Sequence, residues 1–137
     1  MYSFPRKSFA PKKPIRSFRD LDVYTKTLEC AVDVVKKFSK SRILVGFSQR
    51  ENMSNCALSI PLYISEGHSV RFGDKKTSLV FLEKAMAGCN KMVVYLEEIR
   101  GIYGEKVSSE IIEELVKKYI DVRVKIFRLS KAWQKNV

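Results

Sequence analysis

At 137 residues, 45% of them hydrophobic, the chain is the size of one domain with its own core. No apolar run approaches the ~20 residues that cross a bilayer, and the N-terminus has no apolar stretch of the secretory kind, so a cytoplasmic protein without a membrane partner is expected. The net charge of +11 sits at the two ends. Residues 1–19 carry six basic side chains and no acid, and residues 115–137 carry seven against Asp121 alone. The middle of the chain has 13 basic and 14 acidic side chains and is nearly neutral. Basic ends of this kind suggest a polyanion, most often a nucleic acid, and the plainer alternative is a solubilising tail with a solvated helix face. Cys30, Cys56 and Cys89 are odd in number and too widely spaced for a CxxC pair, and they read as small buried hydrophobes of a reducing compartment.

Residues 1–16 hold Pro5, Pro11 and Pro14 among basic residues and form a disordered basic arm on this reading. Residues 17–137 then read as four helices. Ser17 and Asp20 make a capping box ahead of helix A, whose seam is Leu21, Tyr24, Leu28, Ala31, Val35 and Phe38. Helix B spans about Phe47 to Ser69, with Met53, Ala57, Ile60, Ile64 and Gly67 along one face. Pro61 lies inside it, at a cost of roughly 3 kcal/mol or more for an interior helix position. Because the seam keeps its phase, one helix bent at Pro61 is expected. The alternative is a helix ending near Ile60 and a second starting at Pro61, where proline suits a first turn. Gly73 and Asp74 break the chain and cap helix C, which runs to about Arg100 and is stopped by Gly101 and Gly104. Ser108 or Ser109 caps helix D, with its seam at Ile112, Leu115, Tyr119, Val122, Ile126, Leu129 and Trp133. No segment reads as a strand, so the expected class is all-α, an antiparallel up-down-up-down four-helix bundle.

Helix C carries more apolar surface than a bundle helix usually shows. One seam is Leu79, Leu82, Met86, Cys89, Val93 and Leu96. A second holds Phe81, Ala85, Gly88, Met92 and Tyr95, and a third row holds Val80, Ala87 and Val94. The excess points to a subunit contact in a homo-oligomer, with Phe81, Ala85, Gly88, Met92 and Tyr95 at the interface. A central helix buried by its own chain is the alternative.

The string Ser59-Ile60-Pro61-Leu62-Tyr63-Ile64-Ser65-Glu66-Gly67 resembles the S-I-P-x-x-I-A-E-G signature of the bacterial four-helix-bundle family named after proteins encoded in 23S ribosomal RNA intervening sequences. Phe18-Arg19-Asp20-Leu21-Asp22-Val23-Tyr24 resembles that family's opening F-R-D-L-x-V-W/Y, and Phe81-Leu82-Glu83-Lys84-Ala85 its F-L-x-x-A run. The similarity spans about residues 17 to 133. It implies a four-helix bundle and, from studied relatives, a ring-like homopentamer, while the RNA- and polymerase-binding role it suggests belongs to distant basic relatives. Distant relatives are accessory proteins to the reverse transcriptase of diversity-generating retroelements. Paired arginines common in the family are replaced here by Ser54 and Asn55, and a common glutamate by Lys91. Either an inter-helix ion pair has been exchanged as a unit, or a nucleic-acid contact has left helix B.

Catalytic signatures are missing. Di-iron bundles need Glu-x-x-His pairs, and the sole histidine, His68, has no Glu three residues before it. Neither zinc spacings nor phosphate-loop or nucleophile-elbow motifs occur, so no metal, cofactor, small-molecule substrate or enzymatic activity is expected. Glu66 reads as a hydrogen-bond acceptor or ion-pair partner. His68 reads as a helix-terminal residue whose positive charge is favoured. Three functions stay open: an oligomeric RNA-binding protein, a retroelement accessory protein that binds reverse transcriptase and template RNA, and a scaffold that docks an acidic protein. The expected RNA contacts are Arg6, Lys7, Lys12, Lys13 and Arg16 in the arm, with Lys117, Lys118, Arg128, Lys131 and Lys135 on helix D. Tyr2, Phe4 and Phe9 add rings that could stack on unpaired bases.

Overall fold

The structure is a computed structural model that describes residues 14–135. Four helices, α1 (Asp22–Val34), α2 (Arg50–Val70), α3 (Lys75–Tyr103) and α4 (Ser109–Lys135), pack in a ring in which α1 closes on α4. The described residues include no strand. Cross-contacts run in opposite directions along neighbouring helices. Asp22 meets Lys125 while Glu29 meets Lys118, and Arg100 meets Glu113 while Lys75 meets Gln134. The molecule is thus the antiparallel up-down-up-down bundle expected from the seams.

The helix boundaries follow local chemistry. Ser17 and Asp20 do form a capping box, though it caps a single 3-10 turn (Phe18–Asp20) ahead of α1. Asp74 accepts from the Thr77 amide at 3.1 Å to start α3, and Ser108 accepts from the Ile111 amide at 3.2 Å to start α4. α3 runs through Gly101 and ends at Gly104, whose φ of +55° is a conformation that favours glycine. α2 is a single helix that continues through Pro61, and Pro61 is itself buried. The carbonyl of Ala57 loses its helical donor there. Burial of Ala57, Ile60 and Ile64 on the same face holds the helix together across the gap.

Helix α1 corrects the expected seam. Its buried residues are Val23, Thr27, Cys30, Ala31 and Val34, while Tyr24, Leu28 and Val35 are only half-buried. Thr27 is tolerated in the core because its hydroxyl donates to the Val23 carbonyl at 2.8 Å. A wide π turn over Val35–Ser39 then brings Phe38 back into the core.

Helix α3 corrects the expected interface. Ala85, Gly88 and Met92 are fully buried within the chain. Phe81 and Tyr95 are half-buried, Phe81 stacking on Tyr63 of α2. The second apolar seam faces α2, because α3 lies between α2 and α4 and needs an apolar face toward each. Val80, Ala87 and Val94 form an outward row, with Val80 44% and Val94 56% exposed, and Ile102 near the end of the helix is exposed as well.

The tightest approach is at Gly88, where a Cβ would lie 2.8 Å from Cγ1 of Ile60. Gly88→Ala is expected to destabilise the fold by about 1 kcal/mol in urea unfolding, because overpacking of roughly 1–3 kcal/mol exceeds the ~1 kcal/mol helix-propensity gain. Gly101→Ala has open space around its Cβ and is expected to stabilise by about 0.5 kcal/mol. Equal effects of the two substitutions would contradict the close approach.

Candidate nucleic-acid interface

Arg16 and Arg19, the described cations of the basic N-terminal segment, lie at the same end of the bundle as the basic end of α4. The described chain begins there, at Pro14, and the 3-10 turn of residues 18–20 packs on α2. Arg16 and Arg19 are exposed on this segment. α4 finishes at the same end with Arg128, Lys131 and Lys135, all exposed. The α2–α3 turn lies between them and adds Arg71, Lys75 and Lys76. Lys75 bridges directly to α4, its Nζ donating to the Gln134 carbonyl at 2.5 Å.

The acids at this end are few, and two of them serve as caps. Asp20 accepts from the amides of Arg16 at 2.9 Å and Ser17 at 3.1 Å, and these bonds hold its pKa below the ordinary carboxylate value. Asp74 accepts from the Thr77 hydroxyl at 2.6 Å as well as its amide, which lowers its pKa likewise. Glu66 is exposed, and among the described residues it has no ion-pair partner. Past the Asp74 cap, whose carboxylate occupies the positive end of the helix dipole, the first turn of α3 carries two lysines and no acid.

The signature string explains how this end is assembled. Ile60 fills the space over Gly88, and Ile64 continues the core toward the turn. Ser59 donates to the Cys56 carbonyl at 2.7 Å. A Cβ on Gly67 would lie 3.2 Å from the Ser78 carbonyl and 3.3 Å from Cβ of Phe81. The Ser78 hydroxyl donates to the Gly67 carbonyl at 2.8 Å, pinning α2 to α3 just above the turn.

His68 and Trp133 close the end of the core, with ring centroids 6.1 Å apart. His68 is buried, and its Nε2 has no hydrogen-bond partner. Burial and the neighbouring Arg71 cation push its pKa below the ordinary value, against the pull of Asp20. The expectation of a favoured positive histidine at the helix end is therefore overturned: α2 buries the ring instead of presenting it.

Of the other expected RNA contacts, Lys117 and Lys118 lie nearer the opposite end. Lys118 sits 3.3 Å from Glu114 and 3.7 Å from Glu29. Burial lowers its pKa, and the two carboxylates more than offset this, leaving it raised. It braces α1 against α4. Arg6, Lys7, Lys12 and Lys13 lie outside the described residues, as do Tyr2, Phe4 and Phe9. Ser54 bonds to Ser39 of the π turn and to the Arg50 carbonyl. Asn55 and Lys91 are both exposed, and the Lys91 cation acts on the Cys56 thiol next to Asn55, against the rise in pKa that burial causes.

Sequence reasoning missed Arg71, Phe72, Lys75 and Lys76, because charge was summed over segments and the middle of the chain is neutral. The signal was the cluster Arg71-Phe72-Gly73-Asp74-Lys75-Lys76 at a helix break. Among the described residues no group of three or more His, Cys, Asp or Glu gathers where a metal could bind. Burial pushes the Cys30 and Cys89 thiols up to about 12, which leaves them unreactive. Among the described residues no helix is long and apolar enough to cross a membrane. Comparisons with protein-family models, curated proteins and solved structures return no match for this chain. The family resemblance thus rests on the three sequence motifs.

Because His68 is held neutral, its stabilising contribution is present above the ordinary imidazole value of 6.5 and is lost as pH falls below it. The urea midpoint of the wild type is expected to fall between pH 7 and about pH 5, and that of His68→Phe to stay nearly level. A level wild-type profile would contradict this assignment.

Proposed function

We propose that the protein is a non-enzymatic RNA-binding bundle whose contact surface is the basic end built from the first residues of the fold, the α2–α3 turn and the end of α4. The observation that carries this reading is the convergence of the basic segments, distant in sequence, on one end with few free acids. Lysine and arginine side chains there neutralise phosphates and release counterions, so affinity falls steeply with salt. The motif resemblance supports the same reading, since it implies an RNA-binding role, and it keeps a retroelement accessory function within this class.

The test removes charge without touching the core. Lys76→Gln, Arg128→Gln and Lys135→Gln together are expected to weaken RNA binding at least tenfold and to reduce the salt slope by roughly 2, at about 0.7 per phosphate contact on single strands. Lys36→Gln, Lys37→Gln and Lys40→Gln remove the same charge at the opposite end and are expected to change affinity less than threefold. Equal losses from the two triple variants would reduce the effect to net charge. Absence of RNA binding at about 0.15 M salt, where weak polyanion contacts are screened, would favour the acidic-protein scaffold.

Self-association is a separate proposal, favoured by the outward row of Val80, Ala87 and Val94. An oligomeric mass at micromolar concentration that becomes monomeric in Val80→Lys/Val94→Lys is the expected result, and a monomeric wild type would end this proposal.

A further inference from the structure

We infer that the RNA bound at this end is single-stranded and that one unpaired base stacks on the free face of Phe72, an inference that rests on the RNA-binding reading above. Phe72 occupies the α2–α3 turn and is 85% exposed, the most exposed large hydrophobic side chain among the described residues. The core makes no use of this ring.

The ring is nonetheless held. The Arg71 guanidinium lies 4.2 Å from its centroid, within cation–π range. Arg71 is itself fixed, donating to the His68 carbonyl at 2.6 Å and lying 3.2 Å from Nδ1 of the same residue. The buried His68 thus anchors a guanidinium, and the guanidinium covers one face of Phe72. The other face is left to solvent. Such a ring costs little further ordering when a flat ligand settles on it.

Its surroundings select the ligand. Lys75 and Lys76 follow within four residues, just past the Asp74 cap whose carboxylate is taken up by Thr77, and Lys76 is exposed, so a stacked group carrying phosphates would find a free cation close in the chain to the ring. Nucleobases offer a π face together with phosphate, and stacking of this kind tolerates any base. In an RNA duplex the base faces are already stacked on one another, and a turn residue meets only backbone and groove edges. An acidic protein segment would satisfy the lysines and leave the ring unused.

The experiment measures affinity of the full chain for three probes: an oligouridylate of about 12 nucleotides, an oligomer of abasic sugars with the same number of phosphates, and a duplex of equal length. The wild type is expected to prefer the oligouridylate to both others. Phe72→Ala is expected to weaken oligouridylate binding roughly 5- to 100-fold, the range for losing one base–aromatic stack, with the abasic oligomer unchanged. Phe72→Trp is expected to restore it. Full oligouridylate affinity in Phe72→Ala, or an equal loss on the abasic oligomer, would overturn the stacking inference. Binding of polyglutamate as tight as that of oligouridylate would overturn it in favour of an acidic protein partner. The RNA reading fails by a different result, namely full affinity in the Lys76, Arg128 and Lys135 triple variant. Failure of the stack and failure of the surface are thereby told apart.

Discussion

Everything else in this bundle depends on how closely α2 and α3 approach. Gly88 has no side chain, and Ile60 occupies that space. The Cys56 thiol reaches the Gly88 carbonyl at 3.6 Å beside the same contact. Further along the pair, Gly67 admits the Ser78 carbonyl and takes a hydrogen bond from the Ser78 hydroxyl. Two glycines, one on each helix, therefore set the spacing along the hairpin. That spacing fixes where the turn comes, and with it Arg71, Phe72, Lys75 and Lys76. Trp133 of α4 then packs against Gly67 and His68, which brings the last basic residues of the chain to the same place.

The same constraint accounts for the apolar excess of α3. A helix with close neighbours on two sides must be apolar toward both, and α3 packs between α2 and α4 along much of its length. Gly88 is covered by Ile60, and Ala85 and Met92 are fully buried within the same chain. An amphipathic stripe of ordinary width would have been enough for a helix with one partner. Pro61 belongs to this arrangement too. Its missing hydrogen bond is tolerated because Ala57 and Ile60 before it and Ile64 after it are buried on one face.

Much of the fold could be read from the sequence, because helix seams and caps are local signals. Ser17, Asp74 and Ser108 cap as their residue types imply. The seam of α4 was legible as far as Ile126, although Ser130 rather than Leu129 continues it into the core. Helix α1 was misread where the core uses Thr27 and Cys30, since neither ranks with leucine in a hydrophobic pattern and the π turn changes the register before Phe38. The candidate surface was half legible. Charge at the chain ends pointed to Arg128, Lys131 and Lys135, yet nothing in a linear tally shows that the α2–α3 turn lies beside the end of α4. Lys118 illustrates the opposite error: it belongs to a basic run in sequence and to an ion-paired seam in space.

The proposed RNA contact lies at one end of the molecule, so location is what most needs measuring. Photocrosslinking of the full chain to a 4-thiouridine oligonucleotide, followed by peptide mapping, reads location directly. Crosslinks are expected in the α2–α3 turn, centred on Phe72, together with the last turns of α4. Crosslinks concentrated around residues 36–50 at the opposite end, or spread evenly over the surface, would contradict this location.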